Sequence, residues 1–161
     1  MNMNRFTILS LLFVSIFTVA PTMAVAGDDP EAVIQKYYDA RAQGDVDAAL
    51  AFFADDTVLD AGRCRPCVGK AGVRKMLERA VKHKSTRTPI ESYPSGNVVT
   101  QRVETRGTSS RKAGLERVIC WSIWKVKNGK IAFFRHVHDR TDPQTARFIK
   151  WHREQRRARA R

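Results

Sequence analysis

The chain is short of acid, of cysteine and of long apolar runs, and each shortage closes off a class of protein. Only 16 Asp and Glu stand against 29 Lys and Arg, a formal charge of +13 at neutral pH. The surplus predicts either an anionic partner or a merely solubilising surface. The one long apolar run, Phe6 to Ala20, is shorter than the roughly 20 residues a spanning helix needs, and no second run follows. Arg5 precedes that run and Ala24-Val25-Ala26 follows it, the pattern of a secretory signal peptide over residues 1–26. The mature chain is then expected to start at Gly27 and to be periplasmic or secreted. No cysteine lies at the cleavage point, which argues against a lipid anchor. In that location an anionic membrane surface or an acidic ligand suits the charge, and nucleic acid is not expected.

The cysteines number three, in a compartment where disulfides persist. Cys64-Arg65-Pro66-Cys67 can close a small disulfide ring, leaving Cys120 odd. Free thiols, metal binding and redox catalysis are the alternatives. A redox role needs the first cysteine at a helix N-terminus within a βαβ pattern, and this motif follows a short strand instead.

The segment 27–149 suits a single domain with one core, followed by a basic tail over 150–161. Its organising stretch is Val33 to Asp60. Asp29 is a helix N-cap, Pro30 fits the first helical position, and Glu31 suits the positive helix end. Val33, Ile34, Tyr37, Tyr38 and Arg41 follow at helical spacing, and Gly44 ends the helix. Asp45 caps a second helix with Ala49, Leu50, Phe52 and Phe53 inward. Asp55-Asp56 then turns the chain into a strand, Thr57 to Asp60, whose final carboxylate is flanked by apolar residues and can line a pocket.

After the CRPC loop, Val73, Met76, Leu77, Ala80 and Val81 recur at i, i+3, i+4, i+7 and i+8, an amphipathic helix with a basic opposite face. The period then changes to two. Strands are predicted over Thr86 to Tyr93, Val98 to Thr105, Leu115 to Lys127 and Lys130 to Asp139. Pro94 to Asn97, the polar run Gly107 to Gly114, and Asn128-Gly129 mark the turns. Helices first and an antiparallel meander afterwards is an α+β order. The strand around Trp121 is apolar on both faces, so its second face needs a cover: a second copy of the sheet, making a homodimer, or the C-terminal segment. A last helix from Gln144 to about Arg153 carries Phe148 and Trp151. Beyond it the arginine-rich end is expected to be frayed, with contact to an anionic membrane surface as the functional reading.

This order of elements resembles the cone-shaped fold of the nuclear transport factor 2-like superfamily, and within it the SnoaL-like and ketosteroid isomerase branch. The carriers are VIQKYYDARAQGDVDAALAFFADDTVLD, GKAGVRKML and WKVKNGKIAFFRHVHD. The resemblance implies a cystatin-like fold, a curved antiparallel sheet wrapped around three N-terminal helices. It leaves activity open, because the superfamily hosts isomerases, dehydratases, cyclases, hydrolases and plain binding modules on one scaffold.

Carried over by position, Tyr37 matches the tyrosine that in ketosteroid isomerases donates to the enolate oxygen, and Asp60 matches the proton-shuttling carboxylate once a residue beside Asp56 is deleted. The second oxyanion donor, a protonated aspartic acid in those enzymes, falls on Ser122. The same alignment turns Phe134, His136 and His138 inward, an arrangement similar to scytalone dehydratase. With a strand parity shifted by one, Arg135, Val137 and Asp139 would face inward instead. With the histidines inward, the resemblance implies that catalysis rests on Asp60, His136, His138 and Tyr37, with Ser122, Phe134, Cys120 and Trp124 against the substrate. No cofactor is expected. His136, His138 and Asp60 have ligand types suited to zinc, but an H-x-H pair alone is a weak signal. Tyr37 can equally be a core tyrosine, and Asp60 can cap a turn before Gly62. The expectation is an exported domain holding a small, largely apolar organic molecule, either for cofactor-free isomerisation, dehydration or cyclisation, or as a non-catalytic binding module.

Overall fold

The computed structural model describes residues 29–62 and 64–160, and of residues 64 and 65 the backbone alone. The expected signal peptide therefore lies outside the described residues. Helix α1, Pro30–Ala42, starts where Asp29 accepts a hydrogen bond from the Glu31 amide. Helix α2, Val46–Ala51, starts where Asp45 accepts from the Ala48 amide. Between them Gly44 takes a positive φ of 76°, a conformation that costs glycine little. Strands β1 (Phe53–Ala61) and β2 (Cys64–Val68) follow, then α3 (Lys70–Lys82), β3 (Thr86–Ser95), β4 (Val98–Arg106), α4 (Thr108–Lys112), β5 (Val118–Lys127), β6 (Lys130–His138) and α5 (Pro143–Arg159). The strand order is β2-β1-β6-β5-β4-β3. Every neighbouring pair is antiparallel except β1 and β6, which run parallel. The architecture is thus α+β, with the concave side of the curved sheet packed on α1, α2 and α3.

Four boundaries differ from the sequence reading. Strand β1 begins at Phe53 rather than Thr57, because Phe53 is fully buried and pairs with Ile131 of β6. Asp55 and Asp56 lie inside the strand, where the ladder shifts register between Phe53 and Val58. The CRPC segment is not a loop but strand β2, antiparallel to β1. Gly107 to Gly114 contains α4, tied off where the Gly107 amide donates to Ser110 Oγ and that hydroxyl donates to the Gly107 carbonyl. Helix α5 continues unbroken to Arg159, past Arg153.

Aromatic packing fills the apex of the cone. Trp124 stacks on Phe134 with ring centroids 4.1 Å apart, and Tyr37 lies 5.3 Å from both Trp124 and Phe53. Helix α5 closes the opposite, open end: Phe148 packs with Leu115, Val118 and Cys120. It therefore does not cover the outer face, where Val137 and Tyr93 are exposed and Tyr93 meets Trp121 at 6.3 Å. Among the described residues no helix is long and apolar enough to cross a membrane.

The start of α5 is pinned to β5. Asp142 accepts from the Thr145 amide and hydroxyl, each at 2.8 Å, and the Ile119 amide donates to that hydroxyl at 2.8 Å. Arg117 reaches the other Asp142 oxygen at 3.2 Å. Burial pushes the Asp142 carboxyl up, but the Thr145 hydrogen bonds and the Arg117 charge outweigh it and hold it below the usual range. Asp142→Ala is accordingly expected to lower the urea unfolding free energy by about 1–2 kcal/mol at pH 7. The deficit should shrink as the pH falls below about 4, where the carboxyl of the unfolded chain takes up a proton, and close once the lower-titrating folded carboxyl is protonated as well. An unchanged urea midpoint would remove the cap from this account.

Candidate functional site

Between the aromatic apex and α5 the structure leaves a cavity of about 230 Å³. That is below the range of about 300–1,000 Å³ common for drug-sized ligands, so it suits a small molecule. Strand β6 supplies one wall. Side chains two apart share a strand face, and Phe134, His136 and His138 form a row of rings on the concave side, with centroids 6.0 and 6.5 Å apart. The row continues to Phe148 of α5, 5.6 Å from His138. His136 and His138 both line the cavity, as does Cys120 on the neighbouring strand.

A 3.1 Å hydrogen bond joins Ser122 Oγ to His136 Nδ1. The serine hydroxyl can take either role in it, so Nε2 faces a ligand as donor or as acceptor. Burial, and then the charges of Arg87, His138 and Arg41, hold the His136 pKa well below its ordinary value, so the imidazole is neutral at pH 7. Burial likewise pushes the Cys120 thiol up to about 11, which leaves it protonated and a poor nucleophile.

The remaining expected site residues are distributed differently. Tyr37, Trp124 and Phe134 belong to the packed core below the cavity, and the Tyr37 hydroxyl is buried with no hydrogen-bond partner. Asp60 is not grouped with the histidines. Its neighbours Leu59 and Ala61 are buried, so strand alternation turns Asp60 to the opposite face, where Arg135 Nε lies 3.2 Å from its carboxylate. Among the described residues no cluster of three or more His, Cys, Asp or Glu could hold a metal ion. Cys67 has an interaction partner, whereas the Cys64 side chain of the expected disulfide lies outside the described residues.

Several residues that the sequence reading did not assign to the site shape it. Arg41, at the end of the buried stripe of α1, donates to the Ser85 carbonyl at 3.1 Å and to its hydroxyl at 3.3 Å. Arg87 enters from β3 with its guanidinium carbon 5.2 Å above the Phe134 ring. Below them Gln101 Oε1 accepts from both Tyr38 and Trp124, at 3.2 and 3.1 Å. Burial pushes the Tyr38 pKa up against the lowering effect of Arg87, so this phenol stays protonated. The position of Arg41 in the apolar helical stripe was a usable signal. Arg87 had none, since its strand lacks an apolar alternation. The lining is accordingly mixed rather than largely apolar: Met76, Ala80, Val118 and Phe148 share it with Arg41, Arg79, Arg87 and Arg106.

Comparison with known proteins agrees with this architecture. No curated protein matches the chain in sequence. Among solved structures, a candidate polyketide cyclase from Sinorhizobium meliloti is 24% identical with a TM-score of 0.58, over 65% of this chain and 93% of that one. The epoxide hydrolase/cyclase-like enzyme SalBIII, described with a role in pyran ring formation in polyether salinomycin, is 21% identical with a TM-score of 0.60, over 70% of this chain and 92% of its own. A cystatin fold protein from Novosphingobium aromaticivorans is 18% identical with a TM-score of 0.56, over 70% of this chain and 100% of its own. At these identities the likeness is one of fold. The sequence itself matches the SnoaL-like domain over residues 34–134, and the chain belongs to that family.

Proposed function

We propose that this SnoaL-like domain encloses a small organic molecule beneath α5 and moves a proton on it without a cofactor, with His136 as the acid-base group. The observation that carries this reading is the neutral His136 at the cavity wall, fixed through Nδ1 by Ser122. A neutral imidazole both accepts and donates a proton, and a positioned one contributes roughly 10²- to 10⁴-fold to a proton transfer. His138 stands next in the row to receive or return that proton. Enolisation, and the isomerisation, dehydration or cyclisation that proceeds from it, is the chemistry such a pair supports.

One observation favours the second reading, a non-catalytic binding module: among the described residues no Asp or Glu lines the cavity, so the strong base expected at Asp60 is not found there. Three further parts of the proposal rest on the sequence. They are export to the periplasm or beyond, a Cys64–Cys67 disulfide, and homodimerisation through the outer face around Trp121. The basic end of α5 would then meet an anionic membrane surface.

The test is NMR in D2O, observing both the ligand and the histidine rings, with a panel of small ketones. Molecules that bind should shift the His136 and His138 ring signals and exchange their α-protons. His136→Gln should slow that exchange by about 10²-fold or more while leaving binding nearly intact. Binding without exchange in the wild type favours the binding module. Binding undiminished in Ala80→Trp, which fills the cavity, argues against the cavity altogether.

His136 also predicts an acid effect. Its pKa is depressed in the fold, facing Arg41 of α1, Arg87 of β3 and His138 of β6. The unfolded chain takes up a proton near pH 6.5 and the folded chain resists it, so stability is lost as the pH falls below about 6.5. His136→Gln should flatten that decline in chemical denaturation, and the wild-type ring signal should still report neutral imidazole at about pH 6. A ring titrating at its ordinary value would contradict the burial argument.

A further inference from the structure

The cavity is charged in a way that the small-molecule reading does not require. Among the described residues Arg87 Nε and Nη1 are both buried without a hydrogen-bond partner, and no carboxylate lines the cavity that Arg87 enters. Its face-on contact with Phe134 compensates only part of what a guanidinium loses on leaving water. Arg41, on the adjoining wall, is satisfied by the neutral groups of Ser85. Two guanidinium groups therefore share one small space with nothing negative between them. Burial, and then the Arg87 charge, lower the Arg41 pKa to about 10, which reports the same crowding.

The approach to the cavity has the same sign. A wider groove between α3 and α5 is bordered by Arg79, Lys112, Arg140 and Arg156, and again no Asp or Glu among the described residues lines it. Such a groove raises the local concentration of anions and speeds their entry.

We propose that the cavity recognises the carboxylate of a small organic acid, seated between Arg87 and Arg41, with its carbon skeleton against Met76, Ala80, Val118 and Phe148. This deepens the small-molecule reading and rests on it. The guanidinium fork matches a carboxylate in geometry and charge, and a carboxylate supplies the acceptors that Arg87 lacks. The apolar wall then selects an organic acid over a bare inorganic anion, which would leave that wall uncovered. Neutral His136 adds a hydrogen-bond partner at the same end without adding charge.

Isothermal titration of the purified protein with hexanoate and benzoate, with hexanamide and benzamide, and with inorganic phosphate tests this. The carboxylates should bind at least about tenfold more tightly than the amides of the same shape. Arg87→Met should remove that preference, leave the amides unchanged and raise the melting temperature of the ligand-free protein. The carboxylate-to-amide ratio is read on the wild type, so the test stands even where the variant folds poorly. Equal binding of acids and amides, lost in Ala80→Trp, would overturn the anion preference and leave the cavity reading standing. Binding of neither class would overturn both. Phosphate binding as tightly as the carboxylates, with the same dependence on Arg87, would overturn the organic acid in favour of an inorganic anion.

Discussion

The stack of Trp124 on Phe134 sets the geometry of everything around it. It joins β5 to β6 inside the cone, gives Tyr37 and Tyr38 of α1 a surface to rest on, and holds Gln101 in place through the indole nitrogen. Aromatic pairs of this kind are worth about 0.5–1.5 kcal/mol beyond the area they bury. Their larger effect here is spatial. With the apex filled, the cavity lies toward the open end, and the next inward positions of β6 after Phe134 are the two histidines. The core thereby becomes the floor of the cavity and decides which side chains reach a ligand.

Much of the fold was legible because its signals are local. The caps at Asp29 and Asp45, the glycine break at Gly44 and the apolar period of α3 each depend on a few neighbouring residues. The start of β1 was not, because Asp55-Asp56 reads as a turn and only the long-range pairing of Phe53 with Ile131 makes it a strand. The site was less legible still. Thr57, Leu59 and Ala61 alternate inward, and that period of two was enough to send Asp60 outward; a carboxylate between apolar residues looks like a pocket residue only when the flanking side chains are taken to share its face. Arg87 had no such cue, since Ile90 of the same strand points to solvent and the strand's inward face carries no apolar run.

Helix α5 shows how a charged segment can have two roles. Its first turns bring Phe148 onto β5, and its later turns are almost wholly exposed and basic. The roof of the cavity thus also contributes to the positive field around it, beside Arg79, Lys112 and Arg140, and the anchoring of Asp142 serves both.

Asp60 gains a meaning of its own from its place beside Arg135. The two sit across the only parallel junction of the sheet, between chain segments distant in sequence, where no hairpin turn sets the alignment. Were β1 to slide by a single position, the carboxylate would be driven into the apolar core that now holds Leu59, and Leu59 would be thrust outward. The outward pair thus acts as a registration mark, penalising every misaligned assembly more than it rewards the correct one. A charge placed outside the cavity thus helps to keep the cavity's wall in the right place.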